Sequence, residues 1–478
     1  MQEISNLITK TVQDLFSVDE PASLTRTEEQ FGDYATNIAL RLSKKLAQNP
    51  RELAQNIADN LESDFIKEVS VAGPGFINLT LSEEALVALA ETSPTASLKN
   101  KTVVAEYSDP NPFKVLHAGH LYTSVVGDAI ANLLENAGAK VHRVNFGGDV
   151  GLHVAKALWG MLQTLEGEHP EKLKDIPEKG RADWMAQCYQ KGSTAYDDDE
   201  QAKSEIVGLN KQIYEFHSSE DKDSSLAQIY WTCRQWSYDY FDSFYARIGS
   251  GFEKYYPESQ TAPLGLATVK AHIGDVYQES NGAVVFEGEK YGLHTRVFIN
   301  SNGLPTYEAK DVGLALKKWQ DYSFDKSVII TGNDIIEYMK VVMKSLENFL
   351  PEATARTTHL THGQVKLAGG VKMSSRKGNF LRAVDILEVA AEANKAANNQ
   401  NDENVSLGAV KYAFLKVRTG GDIIYDPKDS VSLQGNSGPY LQYAHARASS
   451  ILAKATTHDS QLTTHEYKHA ERSLLRKI

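Results

Sequence analysis

Two short motifs carry residue types and spacings that suit chemistry at a nucleotide phosphate: His117-Ala118-Gly119-His120, and, much later, Lys372-Met373-Ser374-Ser375-Arg376-Lys377-Gly378. His117 and His120 lie three apart at an expected helix start, so both rings can project to one side of its positive end. A triphosphate placed there meets unsatisfied backbone N–H groups. The imidazoles can donate to the charge that builds as the α-phosphate becomes pentacoordinate. Gly119 keeps the backbone low enough for base and ribose to approach. Taken alone, the pair reads equally well as two capping or core histidines. The second motif offers mobile cations and hydroxyls after Gly369-Gly370, a loop able to close over the β- and γ-phosphates and to leave with pyrophosphate. Alone, it reads as a solvated basic turn. Together and in this order they point to one ATP site, with His117, Gly119, His120, Lys372, Met373 and Ser374 as its residues.

The elements around the first motif are those that place ligands at sheet edges. Residues 102–107 read as a strand, which Asp109-Pro110-Asn111-Pro112 breaks. Val125, Val126, Ile130, Leu133 and Leu134 make a helix stopped by Gly138, and residues 140–146 resume as a strand. This βαβ unit carries its motif at the strand-to-helix junction, where parallel sheets bind nucleotides. Residues 155 to about 290 read as a polar helical insertion between two halves of the sheet, with a later strand at 328–331 and a helix at 335–349. Residues 1–95 read as a small α/β unit, in which Asn49-Pro50-Arg51-Glu52 opens a helix and Gly73-Pro74-Gly75 turns into an alternating strand. The pattern beyond 400 is helical. The fold class expected is therefore α/β: a Rossmann-like parallel-sheet domain at 96–400 with its insertion, a small α/β domain at 1–95, and a helical segment at 401–478.

Chain-wide properties narrow the function class. The 478 residues imply several domains, and 41% hydrophobic with 23% charged residues mark a globular protein. No apolar run is long enough to span a bilayer, the first residues do not form a secretory signal, and a cytoplasmic location with no membrane partner is expected. Cys188 and Cys233 are too far apart for a zinc or disulfide framework and are expected to be buried thiols. A net charge of −12 argues against sequence-blind adhesion to nucleic acid, though not against a locally basic surface.

With these motifs the chain resembles the class I aminoacyl-tRNA synthetases, and its flanking residues resemble the arginyl-tRNA synthetase family. The stretches concerned are Glu106-Tyr107-Ser108-Asp109-Pro110-Asn111, Val144-Asn145-Phe146-Gly147-Gly148-Asp149-Val150-Gly151, Pro305-Thr306-Tyr307-Glu308-Ala309-Lys310-Asp311-Val312 and Gly435-Asn436-Ser437-Gly438-Pro439-Tyr440. Gly32-Asp33-Tyr34-Ala35-Thr36-Asn37 extends the likeness into the first domain.

The resemblance implies arginine activation by ATP and transfer to the terminal ribose of tRNA(Arg). It places the arginine pocket on Glu106, Ser108, Asn111, Tyr307 and Asp311, with Asp334 at the adenosine ribose. A guanidinium stays charged at cellular pH and wants a carboxylate in fork geometry, which Asp311 can offer. Magnesium is expected with ATP as part of the substrate, without a protein metal site. The partners are tRNA(Arg), arginine and ATP, acting on a monomer. The first domain is expected to touch tRNA, and residues 401–478 to begin a helical anticodon-binding domain that in the family runs on by about a hundred residues. Ser375 stands where the class has lysine, leaving Arg376 or Lys377 to supply that charge, and Ile335 stands where relatives carry a polar residue. Two other readings fit the motifs: a different class I synthetase or nucleotidyltransferase, and a tRNA-binding paralogue or fragment without charging activity.

Overall fold

In the computed structural model, residues 2–91, 96–368, 382–399, 401–454 and 468–477 are described. They form two compact units, one of residues 1–95 with 455–478 and one of residues 96–454. In the first, an antiparallel sheet runs in the order Thr25–Arg26, Tyr34–Thr36, Phe76–Leu81, Ile66–Ala72. Its core is built from Ile8, Leu42, Leu53, Ile57, Ile77 and Leu79. Asn49 caps the helix Pro50–Ala58 by accepting from the Arg51 amide at 2.9 Å.

The second unit is organised by a five-stranded sheet, parallel throughout, in the spatial order Thr357–His362, Lys326–Gly332, Thr102–Glu106, Lys140–Gly147, Lys254–Pro257. The chain leaves its first strand in one direction and its fourth in the other. The crevice between the ends of Thr102–Glu106 and Lys326–Gly332 is thus the switch point at which such sheets bind ligands. The helix Ala118–Asn136 starts just beyond the first of these strands. The helices Glu258–Ala271 and Tyr307–Tyr322 cross at unusually close range: a Cβ on Gly313 would meet the Thr261 carbonyl oxygen at 2.0 Å, and one on Gly265 the Ala309 oxygen at 1.8 Å. This contact brings Tyr307 and Asp311 beside Glu258.

Three features differ from the sequence expectation. The helical insertion ends at Ile248, not near 290. Lys254–Pro257 is the sheet's outer strand, and Gln278–Ser280, Ala283–Phe286 and Arg296–Ile299 form a small antiparallel sheet. Strands of three or four residues are too short to show an alternation. The insertion is also less polar than its composition suggests, with Leu158, Met161, Ile206, Ile213, Tyr230 and both buried cysteines sharing one core. Finally, residues 401–454, expected to begin a separate domain, pack with the sheet unit. Val410 and Phe414 of the helix Glu403–Leu415 bury against Leu121, Tyr122 and Val125 of the motif helix. The last helix, His469–Lys477, belongs to the first unit, where Arg472 bonds Asp33 Oδ2 at 2.8 Å and the Leu81 carbonyl at 2.9 Å.

Candidate active site

The histidine motif is both a cap and a pair of aimed donors. His117 is the N-cap of Ala118–Asn136, its Nδ1 accepting from the Gly119 amide at 3.1 Å, while His120 Nδ1 accepts from the His117 amide at 3.2 Å. The rings stack with centroids 3.7 Å apart. Because each Nδ1 accepts, each neutral ring carries its proton on Nε2. Burial, then repulsion from Lys114, pulls His117 down to about 4 despite Asp334 nearby. Burial, then the His117 and Lys114 charges, holds His120 well below the usual histidine range. Both are neutral donors at physiological pH. Gly119 serves the cap directly, since a Cβ there would meet His117 Cε1 at 2.9 Å.

At the switch point a cleft of about 480 Å³, partly open to solvent, is lined by every predicted arginine-pocket residue, Glu106, Ser108, Asn111, Tyr307 and Asp311, together with His120 and Asp334. The turn after Thr102–Glu106 is held in left-handed backbone, with φ of 75° at Ser108 and 49° at Asp109. Strain of this kind collects where side chains must be aimed at a ligand. Ser108 Oγ is engaged by Tyr245 at 2.7 Å and Ser124 at 2.9 Å. Asn111 Oδ1 accepts from the Gly148 amide at 2.8 Å, so what Asn111 presents to a ligand is its N–H₂, suited to a carboxylate oxygen. Gly148 permits this, since a Cβ there would lie 2.5 Å from Asn111 Oδ1. Tyr307 is 53% exposed at the first turn of its helix, with its hydroxyl 3.5 Å from His153 Nδ1.

The carboxylates around this cleft are not equivalent. Glu106 is buried and paired with Lys318, and Glu258 is buried and paired with Lys310. Asp109 accepts from the Phe146 amide at 2.8 Å, and burial, then the Glu106 charge, raises its carboxyl well above the usual range. Asp311 receives a hydroxyl from Tyr338, and burial pushes its carboxyl up to about 7. Asp311 thus faces the cleft without a lysine or arginine bonded to it among the described residues, whereas Glu106 and Glu258 have one each.

The model for tRNA synthetases class I (R), catalytic domain, matches residues 83–426, and that for the arginyl tRNA synthetase N terminal domain matches residues 2–81. The chain belongs to the class I arginyl-tRNA synthetases. The arginine–tRNA ligase of Phocaeicola vulgatus is 27% identical over 95% of this chain and 82% of that protein. That of Treponema denticola is 29% identical over 91% of this chain and 76% of that one. In fold, the Thermus thermophilus arginyl-tRNA synthetase matches with a TM-score of 0.77 at 21% identity, covering 99% of this chain and 85% of that one. The Plasmodium falciparum arginyl-tRNA synthetase matches with the same TM-score and coverages at 20% identity.

Within this synthetase, several site residues escaped sequence reasoning. Lys114, one turn before the histidines in the chain, lines a second cavity together with Asn111, His117, His120 and Arg382, and its ammonium lies 4.3 Å from the Tyr189 ring centre. A lysine three residues from the motif had no spacing rule to mark it. Glu258, Lys310 and Lys318 were hidden because buried ion pairs join distant segments. Asp149, fully buried, accepts from Arg234 Nε at 2.9 Å, the Ser259 amide at 2.8 Å and Ser259 Oγ at 2.7 Å. It ties the insertion helix Ser225–Ile248 to the start of Glu258–Ala271. Its place in the Gly147-Gly148-Asp149 run was the available signal. Asp334 sits exposed after Lys326–Gly332, beside the half-buried Ile335. Lys372, Met373, Ser374 and Ser375 lie outside the described residues. Among the described residues there is no helix long and apolar enough to cross a membrane, and no group of three or more His, Cys, Asp or Glu side chains placed to hold a metal.

Proposed function

We propose that this synthetase activates arginine with magnesium-bound ATP and charges the 3′-terminal ribose of tRNA(Arg), with the switch-point cleft as its arginine site. The observation that carries this reading is Asp311, a buried carboxylate facing the cleft with a neutral phenol as its bonded partner, while Glu106 and Glu258 beside it are each paired with a buried lysine. The substrate guanidinium supplies the missing cation, in the fork geometry that a carboxylate accepts. Tyr307 packs on its plane, and the Asn111 N–H₂ meets the substrate carboxylate. In the first step that carboxylate attacks the α-phosphate of ATP, giving arginyl-adenylate and pyrophosphate.

His117 and His120 donate through Nε2 to the developing phosphoryl charge, which requires rings that are neutral and fixed beforehand. Asp334 accepts from the ribose hydroxyls of ATP. Lys372, Met373 and Ser374 close on the phosphates, and Lys114 adds a cation on the same side as the histidines. In the second step the tRNA ribose hydroxyl takes the arginyl group and AMP leaves. Membership of the family implies that tRNA is bound before arginine is activated. The test is arginine-dependent exchange of pyrophosphate into ATP, with and without tRNA. Exchange that needs arginine supports the reading, and tRNA binding without any exchange would favour the non-charging paralogue instead.

A further inference from the structure

Asp311 has a partner that no role in the reaction yet explains. Tyr338, on the first turn of the helix Ile336–Leu346, lines the cleft and donates its hydroxyl to Asp311 Oδ2. The ring is itself held: the Arg296 guanidinium lies 5.2 Å from its centre. Arg296 Nη1 bonds Glu308 at 3.1 Å, one turn before Asp311 on the same helix. The small antiparallel sheet and two helices thus hold the tyrosine whose hydroxyl meets that carboxylate oxygen.

We propose that Tyr338 is a positioning residue for the substrate guanidinium: by occupying Oδ2 it fixes the orientation of Asp311 and favours its charged form when arginine arrives. This rests on Asp311 being the guanidinium acceptor. The physical reason is that a hydroxyl donates a stronger bond to a charged carboxylate than to the oxygen of a protonated acid, so the bond favours the charged form. In a partly dry site that preference is strengthened.

The surroundings make such help necessary. Glu106 and Asp109 face Asp311 from the end of the strand Thr102–Glu106, and Glu258 faces it from Glu258–Ala271. Lys318 approaches from its own helix. Lys318 is committed to Glu106, and Lys310 to Glu258. Burial and the acidic neighbours favour a proton on Asp311; Lys318 opposes from a distance, and Tyr338 opposes by contact. A lysine in place of Tyr338 would satisfy Asp311 permanently and close the site to a cationic substrate. A phenol orients the carboxylate without neutralising it.

The experiment compares Tyr338→Phe, Asp311→Asn and the unaltered protein in pyrophosphate exchange with bulk tRNA, from pH 5.5 to 9, varying arginine and ATP separately. In Tyr338→Phe the acid limb of kcat/KM for arginine should move up by about one pH unit, the scale of one hydrogen bond to a charged acceptor. Arginine use should fall about fivefold near pH 7, approach about a tenfold loss below pH 6, and recover toward pH 9. The KM for ATP and the thermal midpoint should stay close to those of the parent. A merely structural tyrosine would give a loss independent of pH and shared by both substrates, which overturns the proposal. An unmoved limb in Tyr338→Phe, with arginine use lost in Asp311→Asn, also overturns it while leaving the reading of Asp311 intact. Arginine use that survives in Asp311→Asn would remove that reading itself.

Discussion

Replacing Asp311 by asparagine separates what the carboxylate does for the substrate from what it costs the fold. The change is nearly isosteric, and an asparagine oxygen can still accept from Tyr338, so the cleft keeps its shape. What is lost is the charge opposite the substrate guanidinium, and the new N–H₂ sets donor against donor. Removing one partner from a desolvated charge pair costs about 2 to 5 kcal/mol, or from thirtyfold to several thousandfold in arginine affinity. ATP, bound through other groups, should change less than about threefold. The effect on stability runs the other way. An aspartate whose carboxyl is pushed up to about 7 holds, in the native state, a proton that the unfolded chain releases near 3.8. Its contribution therefore makes stability fall as pH rises from about 4 to 7, by at most roughly 4 kcal/mol. Asparagine removes that cost. The ligand-free variant should melt higher than the parent at pH 8, with the gain shrinking to nothing by about pH 4. Pyrophosphate exchange and thermal scans over this range measure both. Equal weakening of arginine and ATP, or a variant less stable than the parent at pH 8, would show that the carboxylate is structural.

Other outcomes follow from the same geometry. His117→Ala and His120→Ala should each lower adenylate formation by more than about tenfold, the scale of losing one transition-state donor, and Lys372→Ala should do the same, all with tRNA affinity nearly intact; unchanged exchange in these variants would remove them from the mechanism. In the unaltered protein, kcat/KM for arginine should fall about tenfold per unit below pH 7 as Asp311 takes its proton, with His117 contributing only near pH 4; a flat profile down to pH 5.5 would contradict the burial of Asp311. Lys318→Met leaves Glu106 buried without its counter-charge and should destabilise the protein by about 3 to 5 kcal/mol, seen in chemical unfolding of the sheet unit. Gly313→Ala should force the two crossing helices apart, cost about 1 to 3 kcal/mol and raise the KM for arginine more than that for ATP.

The parts of the site legible in the sequence are those set by local chain geometry. A histidine three residues before another at a helix start must put both rings on one side, and a proline-rich break after a short strand must turn the chain at the sheet edge. Glu106, Ser108, Asn111, Tyr307 and Asp311 were named through likeness to a family, and the fold brings all five to one cleft. What stayed hidden was which of the acidic residues carries an available charge. That depends on Lys310 and Lys318, whose place in the sequence gives no sign of burial but which are nearly fully buried. Likewise the strand Lys254–Pro257 was absorbed into the helical insertion, because four residues with a terminal proline carry no periodic signal, although sheet pairing with residues 144–147 defines it at once.

The histidine motif shows why the two readings of it, cap and catalytic pair, need not compete. A histidine that caps through Nδ1 cannot also carry a proton there, so the cap selects the tautomer with Nε2–H. Burial beside Lys114 then removes the option of a second proton. The stacked neighbour is bound by the same logic, since its Nδ1 holds the His117 amide. Each backbone bond thus does two things: it satisfies an amide at the helix start and it fixes which ring atom can donate. A charged imidazolium would bind the ground-state triphosphate strongly as well as the transition state, which lowers KM without speeding the step. A neutral donor held in place acts most where charge newly appears, at the pentacoordinate α-phosphate. By this argument a change that frees Nδ1, such as one that displaces Gly119 and its amide, should reduce adenylate formation even though both histidines remain. Gly119→Ala tests it, because its Cβ would press on His117 Cε1 at 2.9 Å. Full activity in that variant would mean that the cap does not set the donor.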